Sequence, residues 1–226
     1  MTETERYPQR PFVPPPDATV VLLVRHGASA TLSPGETFDI IDGHSDPPLA
    51  PAGREQARAV CARLGAEAPD ALFVTPLRRT AETAGPLAAS TGLEPVVVPD
   101  LREVHLGEWE GGEYRIRAAN RDPLVRRMFR EERWDLIPGA EPMDALAERV
   151  RAGIERILAA LGPGRTGAAF LHAGIIGEVC RQATGGRPFA FVHADNASIS
   201  RLVVFPNGRW MLHSFNDTAH LDGLAD

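Results

Sequence analysis

The sequence predicts an α/β fold: a three-layer sandwich with a mostly parallel, mixed central sheet, helices on both faces and a helical insert. Three observations lead there. The run Val20, Val21, Leu22, Leu23, Val24 is apolar at every position, the pattern of a strand covered on both faces. Short apolar runs alternate with amphipathic helical segments, as a layered parallel sheet requires. The last two strand-like runs, Ser198 to Phe205 and Trp210 to Phe215, flank the turn Pro206, Asn207, Gly208, which implies a closing antiparallel hairpin.

Five prolines among the first sixteen residues forbid regular structure, so residues 1–17 read as an extended Pro-rich arm and 18–226 as the domain. After the first strand a polar stretch runs through Asp46, Pro47 and Pro48. A helix follows from about Gly53 to Leu64, with Ala57, Val60, Cys61 and Leu64 on one face. Ala71 to Val74 is the next strand. Thr75 and Pro76 then open a helix, threonine as cap and proline in the first turn. Val96 to Val98 is a further strand, and Leu101 to Gly112 a glycine-broken acidic loop. Helical spacing returns over Tyr114 to Arg133 and Met143 to Leu161, separated by Ile137, Pro138, Gly139, so a helical insert is expected over about 113–143. Gly167 to Leu171 is a strand that ends in His172, with a helix from near Gly174.

Composition narrows the function. At 226 residues and 43% hydrophobic content the chain suits one domain, burying roughly 70–75% of its unfolded surface. The formal charge of -6, with no basic cluster free of acidic partners, argues against a nucleic-acid partner. Cys61 and Cys180 are the only cysteines and both fall in helical segments, which fits a reducing cytoplasm and neither a disulfide framework nor a cysteine zinc site. The opening MTETERYPQRPFVPPPD lacks the apolar core of a signal peptide, and no run approaches the roughly 18 apolar residues of a membrane span. Neither secretion nor a membrane partner is expected.

The chemistry concentrates where strands end. Arg25, His26 and Gly27 follow the first strand, at the edge where open α/β sheets hold their active sites. A neutral imidazole is a nucleophile near neutral pH, and the adjacent guanidinium is a planar fork matched to phosphate oxygens. Three more segments complete the set: TPLRRTAET (Thr75–Thr83) with Arg78 and Arg79, LREVHLGEWEGG (Leu101–Gly112) with Glu103, and FLHAG (Phe170–Gly174) with His172. Phosphoryl transfer needs cationic donors around the equatorial oxygens, an in-line nucleophile and an acid for the leaving oxygen. These residue types are all present.

In this order, and with Asp46 to Leu49 (DxPL-like), the helix start Gly53 REQA and the ending NDTAHL (Asn216–Leu221), the chain resembles the phosphatase-type branch of the histidine phosphatase, or phosphoglycerate mutase-like, superfamily over Thr19 to Leu221. The resemblance implies that His26 accepts the phosphoryl group, that Arg25, Arg79 and His172 hold it, and that Glu103 donates the proton, with Glu108 and Glu110 as alternative acids. Ser29 and Ala173 are further substrate-binding candidates. Departures are Ala28 where Glu or Gln is frequent, Thr75 in place of a serine, and Ala173 in place of a glycine.

The function expected is a phosphomonoesterase acting on a small phosphorylated metabolite, with inorganic phosphate as product. Arginines and a cationic histidine would fill the role magnesium has elsewhere, so neither cofactor nor metal is expected. A phosphoglycerate mutase-like phosphotransferase and a catalytically weak phosphate-binding protein stay open. A metal hydrolase on His26, His172 and Glu103 lacks the HxH or HExxH spacing. Substrate choice falls to the insert around Tyr114 to Met143. The run Arg126, Arg127, Arg130, Glu131, Glu132, Arg133 reads as a solvated helix face, and exposed apolar residues on an edge strand would support a homodimer.

Overall fold

In the computed structural model, which describes residues 7–33 and 35–224, the strands in chain order are β1 (Thr19–Arg25), β2 (Ile40–Ile41), β3 (His44–Ser45), β4 (Ala71–Val74), β5 (Val96–Val97), β6 (Thr166–Leu171), β7 (Ile199–Val204) and β8 (Trp210–Asp217). Six of them form one sheet in the order β5-β4-β6-β1-β7-β8. Neighbours from β5 to β1 run parallel, whereas β7 and β8 are antiparallel additions at one side. The helices are α1 (Pro51–Gly65), α2 (Arg78–Thr91), α3 (Glu113–Ala119), α4 (Pro123–Glu131), α5 (Met143–Leu161) and α6 (Ala173–Thr184).

The unbroken apolar run of β1 has a direct cause. Side chains alternate across a strand, so Val20, Leu22 and Val24 pack with Val60 and Leu64 of α1 and Leu87 of α2. Val21 and Leu23 point the other way, into the larger core with Ile154 and Ile157 of α5 and Ile176 of α6. Both faces are covered, and β1 lies between β6 and β7 with Arg25 level with Leu171. The carboxyl ends of β1, β4 and β6 therefore open side by side, as expected for a site in this class of sheet.

Three local expectations differ from the structure. The second helix begins at Arg78 rather than Thr75, its N-cap Leu77 has no side-chain cap, and the Thr75 hydroxyl instead meets Thr80 and His172. The first helix starts earlier, at Pro51, which takes the first-turn position proline tolerates. The helical run over Tyr114 to Arg133 is two helices: Arg121 turns left-handed at φ 54°, and the Asp122 carboxylate accepts from the Leu124 amide at 2.7 Å to cap a new helix behind Pro123. The hairpin β2–β3 was absent from the sequence reading, because two-residue strands leave no period to detect.

Residues 7–15 carry no regular structure, and the Phe12 ring rests against His213 of β8 at 5.5 Å. The first six residues of the expected arm lie outside the described residues. Among those described, no helix is long and apolar enough to cross a membrane.

Candidate active site

His26 sits just past β1, its amide bonded to Leu171 O at 3.0 Å and its side chain 5% exposed. Its Nδ1 lies 2.8 Å from the carbonyl of Gly27. A carbonyl only accepts, so Nδ1 carries the proton and Nε2 keeps its lone pair. Burial, then Arg79 and Arg25, hold the imidazole well below its ordinary pKa. A neutral ring with a free Nε2 is the nucleophilic form.

The loop bearing His26 is held by backbone contacts. The Gly27 amide donates to Thr83 Oγ1 at 3.0 Å and the Ala28 amide to Gln56 Oε1 at 2.8 Å, while Asn196 Nδ2 donates to His26 O at 3.0 Å. Gly53 is required at the start of α1, since a Cβ there would collide with the Ala28 carbonyl. Ala28 thus contributes its main chain, and its short side chain removes none of these bonds.

Arg79 comes from the first turn of α2, 6% exposed. Its Nε donates to His26 Nε2 at 3.2 Å and its Nη1 to Ser45 O at 2.8 Å. Burial brings its pKa down to about 10, against the pull of Glu103 and Asp46. Asp46 anchors this turn: its Oδ1 accepts from the Arg78 amide at 2.8 Å and lies 4.0 Å from Arg79 Nη1. Arg78 itself is exposed and turned toward Asp39 and Asp46. Arg25 donates from Nη1 to Ala194 O at 2.7 Å, and its buried Nε has no acceptor among the described residues.

His172 caps α6, fully buried, with its ring 5.2 Å from that of His26. Its Nε2 meets Thr75 Oγ1 at 3.0 Å. Burial, Arg79, His26 and Arg25 all hold this histidine well below its ordinary pKa. Its Nδ1 has no hydrogen-bond partner among the described residues.

Glu103 lies half-buried in the loop before the 3-10 turn Gly107–Gly112. Its Oε1 accepts from the Val104 amide at 2.9 Å. Gly174 at the start of α6 leaves it room, since a Cβ there would stand 2.7 Å from that oxygen. Burial raises the carboxyl above the usual range, outweighing the Val104 amide, Arg79 and Arg25. The alternative acids are placed differently. Glu110 accepts from the amides of Ser45 at 2.8 Å and Leu106 at 2.9 Å, which makes it a structural acceptor. Glu108 is exposed and off the cavity lining.

These groups open into a cavity of about 400 Å³. Arg25, His26, Arg79, Glu103 and Ala173 line it, whereas His172, fully buried behind His26, and Ser29 do not, the Ser29 hydroxyl accepting from Arg115 Nη2 at 2.6 Å. Sequence reasoning missed Arg115, Asp195, His44, His193 and the rings Phe38, Phe129 and Trp134 on the lining. Arg115, Phe129 and Trp134 carried a signal, their place in the insert. The basic run of α4 is solvated as expected: Arg127 pairs with Glu131 at 2.9 Å and Arg133 with Asp135 at 2.7 Å, away from the cavity. Among the described residues no group of His, Cys, Asp and Glu could hold a metal ion.

The sequence profile of the histidine phosphatase superfamily (branch 1) matches residues 21–218. Phosphoglycerate mutase-like protein 4 of Arabidopsis thaliana is 32% identical over 215 residues, covering 91% of this chain and 88% of that one. The metal-independent phosphoserine phosphatase of the same plant is 30% identical over 213 residues, 92% and 86% of the two chains. Among solved structures, a mycobacterial glucosyl-3-phosphoglycerate phosphatase superposes with a TM-score of 0.72 at 27% identity, covering 89% of this chain and 100% of that chain. That phosphatase is also known in complex with inorganic phosphate.

Proposed function

The chain belongs to the histidine phosphatase superfamily (branch 1), and from that premise we propose that it is a phosphomonoesterase hydrolysing a small phosphorylated metabolite through a phosphohistidine on His26. The observation that carries this reading is the pinned tautomer: Nδ1 held by Gly27 O at 2.8 Å leaves Nε2 as the attacking atom, beside the Arg79 guanidinium at 3.2 Å. The phosphatases among the similar proteins support it.

In the first step the entering phosphoryl oxygens take over the Arg79 contact, and the lone pair of Nε2 attacks phosphorus as the P–O bond to the alcohol breaks. Arg25 and Arg79 balance the equatorial charge, with His172 as a further stabilising group. Glu103, whose carboxyl burial raises above its ordinary range, acts in its protonated form and passes its proton to the departing alkoxide. In the second step its carboxylate takes a proton from water, the oxygen attacks phosphorus, and the N–P bond breaks to give phosphate and neutral His26. Guanidiniums and buried donors cover the developing charge, so each step closes without a metal.

Phosphate release measured beside isomer-resolved NMR on a phosphoglycerate tests the assignment, with and without excess chelator. Release that outpaces isomerisation and is unaffected by chelator is expected. Isomerisation faster than release replaces the hydrolase with a mutase, and loss of release in chelator contradicts the metal-free steps.

A further inference from the structure

Beyond the phosphate end the cavity carries a wall of aromatic rings among polar side chains. Its volume of about 400 Å³ is that of a small-molecule site, and a phosphoryl group held by Arg25, His26 and Arg79 occupies a minor part of it. Trp109, Tyr114, Phe129 and Trp134 stand together on the remaining lining, beside Glu110, Arg115 and Asp195.

These rings fix one another. Trp109 and Tyr114 lie 6.4 Å apart, and Tyr114 meets Trp134 edge-on at 6.2 Å. Trp134 and Phe129 both pack on Phe189, at 4.8 and 5.6 Å. Phe129 also stacks on His193 at 5.4 Å with the planes 8° apart. Trp109 and Trp134 are buried, whereas Tyr114 and Phe129 are half-buried and keep ring surface toward the cavity. A wall whose rings are already immobilised offers apolar area with little entropy left to lose on binding.

We infer that this wall reads the alcohol part of the substrate, so that the preferred phosphomonoesters carry an aromatic or similarly flat apolar ring on the alcohol. The inference rests on the phosphomonoesterase reading. The competing chemistry is a second anion on the substrate, for which the lining offers one further cation, Arg115. Its guanidinium is already engaged, donating to Ala30 O at 2.7 Å and Ser29 Oγ at 2.6 Å and lying 5.0 Å over the Phe38 ring. Glu110 and Asp195 share the lining and oppose a second negative charge. The balance favours the ring.

The test compares kcat/KM for 2-phenylethyl phosphate, glycerol 1-phosphate and phosphoglycolate by phosphate release. All three are alkyl esters, so the comparison is not dominated by an activated aryl leaving group. The phenylethyl ester is expected to be better than glycerol phosphate by about 10-fold or more, as burial of a ring predicts. Phe129→Ala should bring that ratio close to one, and Phe129→Leu, which keeps apolar volume without a flat face, should lower it several-fold. Equal constants for the phenylethyl and glycerol esters, or a ratio that both Phe129 variants leave unchanged, overturn the ring and leave the phosphomonoesterase standing. A preference for phosphoglycolate that Arg115→Gln erases overturns it in favour of a second anion. No release from any of the three overturns the phosphomonoesterase reading and this inference with it.

Discussion

The two ends of the cavity are built by different means. At the phosphate end, Arg25, His26, Thr75 and His172 stand at the carboxyl ends of three parallel strands, and their positions follow from the hydrogen-bonded register of the sheet. At the other end, Tyr114, Phe129 and Trp134 come from α3, α4 and a 3-10 turn, held by ring packing rather than by a shared ladder. On the proposed function, the chemistry then falls to the scaffold and the selectivity to an insert that can vary without disturbing it.

That division predicts where substitutions act, beginning with the largest effect. His26→Ala deletes the proposed nucleophile and should cost on the order of 10⁴-fold or more in kcat on every ester, with thermal melting little changed. An alanine variant retaining a tenth of the wild-type rate would break the distinction between the two ends. Glu103→Gln should slow alkyl esters by on the order of 10²–10⁴-fold while sparing activated aryl esters. Because burial raises the Glu103 carboxyl and lowers His26, wild-type activity on alkyl esters should fall as pH rises through the Glu103 pKa and hold into acid until His26 protonates. The alkaline limb should vanish in the glutamine variant. Equal losses on both ester classes would make Glu103 structural.

Arg79→Ala should cost about 10²–10³-fold and weaken competitive inhibition by vanadate. Arg79→Lys should retain part of both, keeping charge without the planar fork. Unchanged vanadate inhibition in the alanine variant would remove Arg79 from the phosphate end. The smallest effect is on the scaffold: Gly53→Ala places a Cβ against the Ala28 carbonyl and should destabilise the fold by about 1–3 kcal/mol, read as a lower denaturation midpoint. A neutral result would show that the loop behind His26 is looser than the structure indicates.

The same division explains what the sequence revealed. The apolar run before Arg25 and the strand before His172 place both residues because strand ends are local features with a period to read. Thr75 was legible as a residue but not in its role: its hydroxyl looks like a helix cap until the sheet brings His172, distant in sequence, to 3.0 Å. Asp46 likewise stood in a recognisable motif, yet its carboxylate serves a turn more than thirty residues on, at the Arg78 amide 2.8 Å away. The break between α3 and α4 was hidden because the apolar spacing continues across it, although Asp122 and Pro123 mark a new helix start. The stacking of Phe129 on His193 joins segments about sixty residues apart in the chain, and no local pattern announces such a pairing.

The central claim is the covalent phosphohistidine, and rapid quenching of the enzyme during turnover tests it most directly. Mass spectrometry of the quenched protein should find one phosphoryl group, labile in acid and stable in base, on the peptide carrying His26, and none on His26→Ala. Turnover without any phosphoenzyme, or an acid-stable phosphoryl group on a hydroxyl residue such as Ser29, would contradict the account.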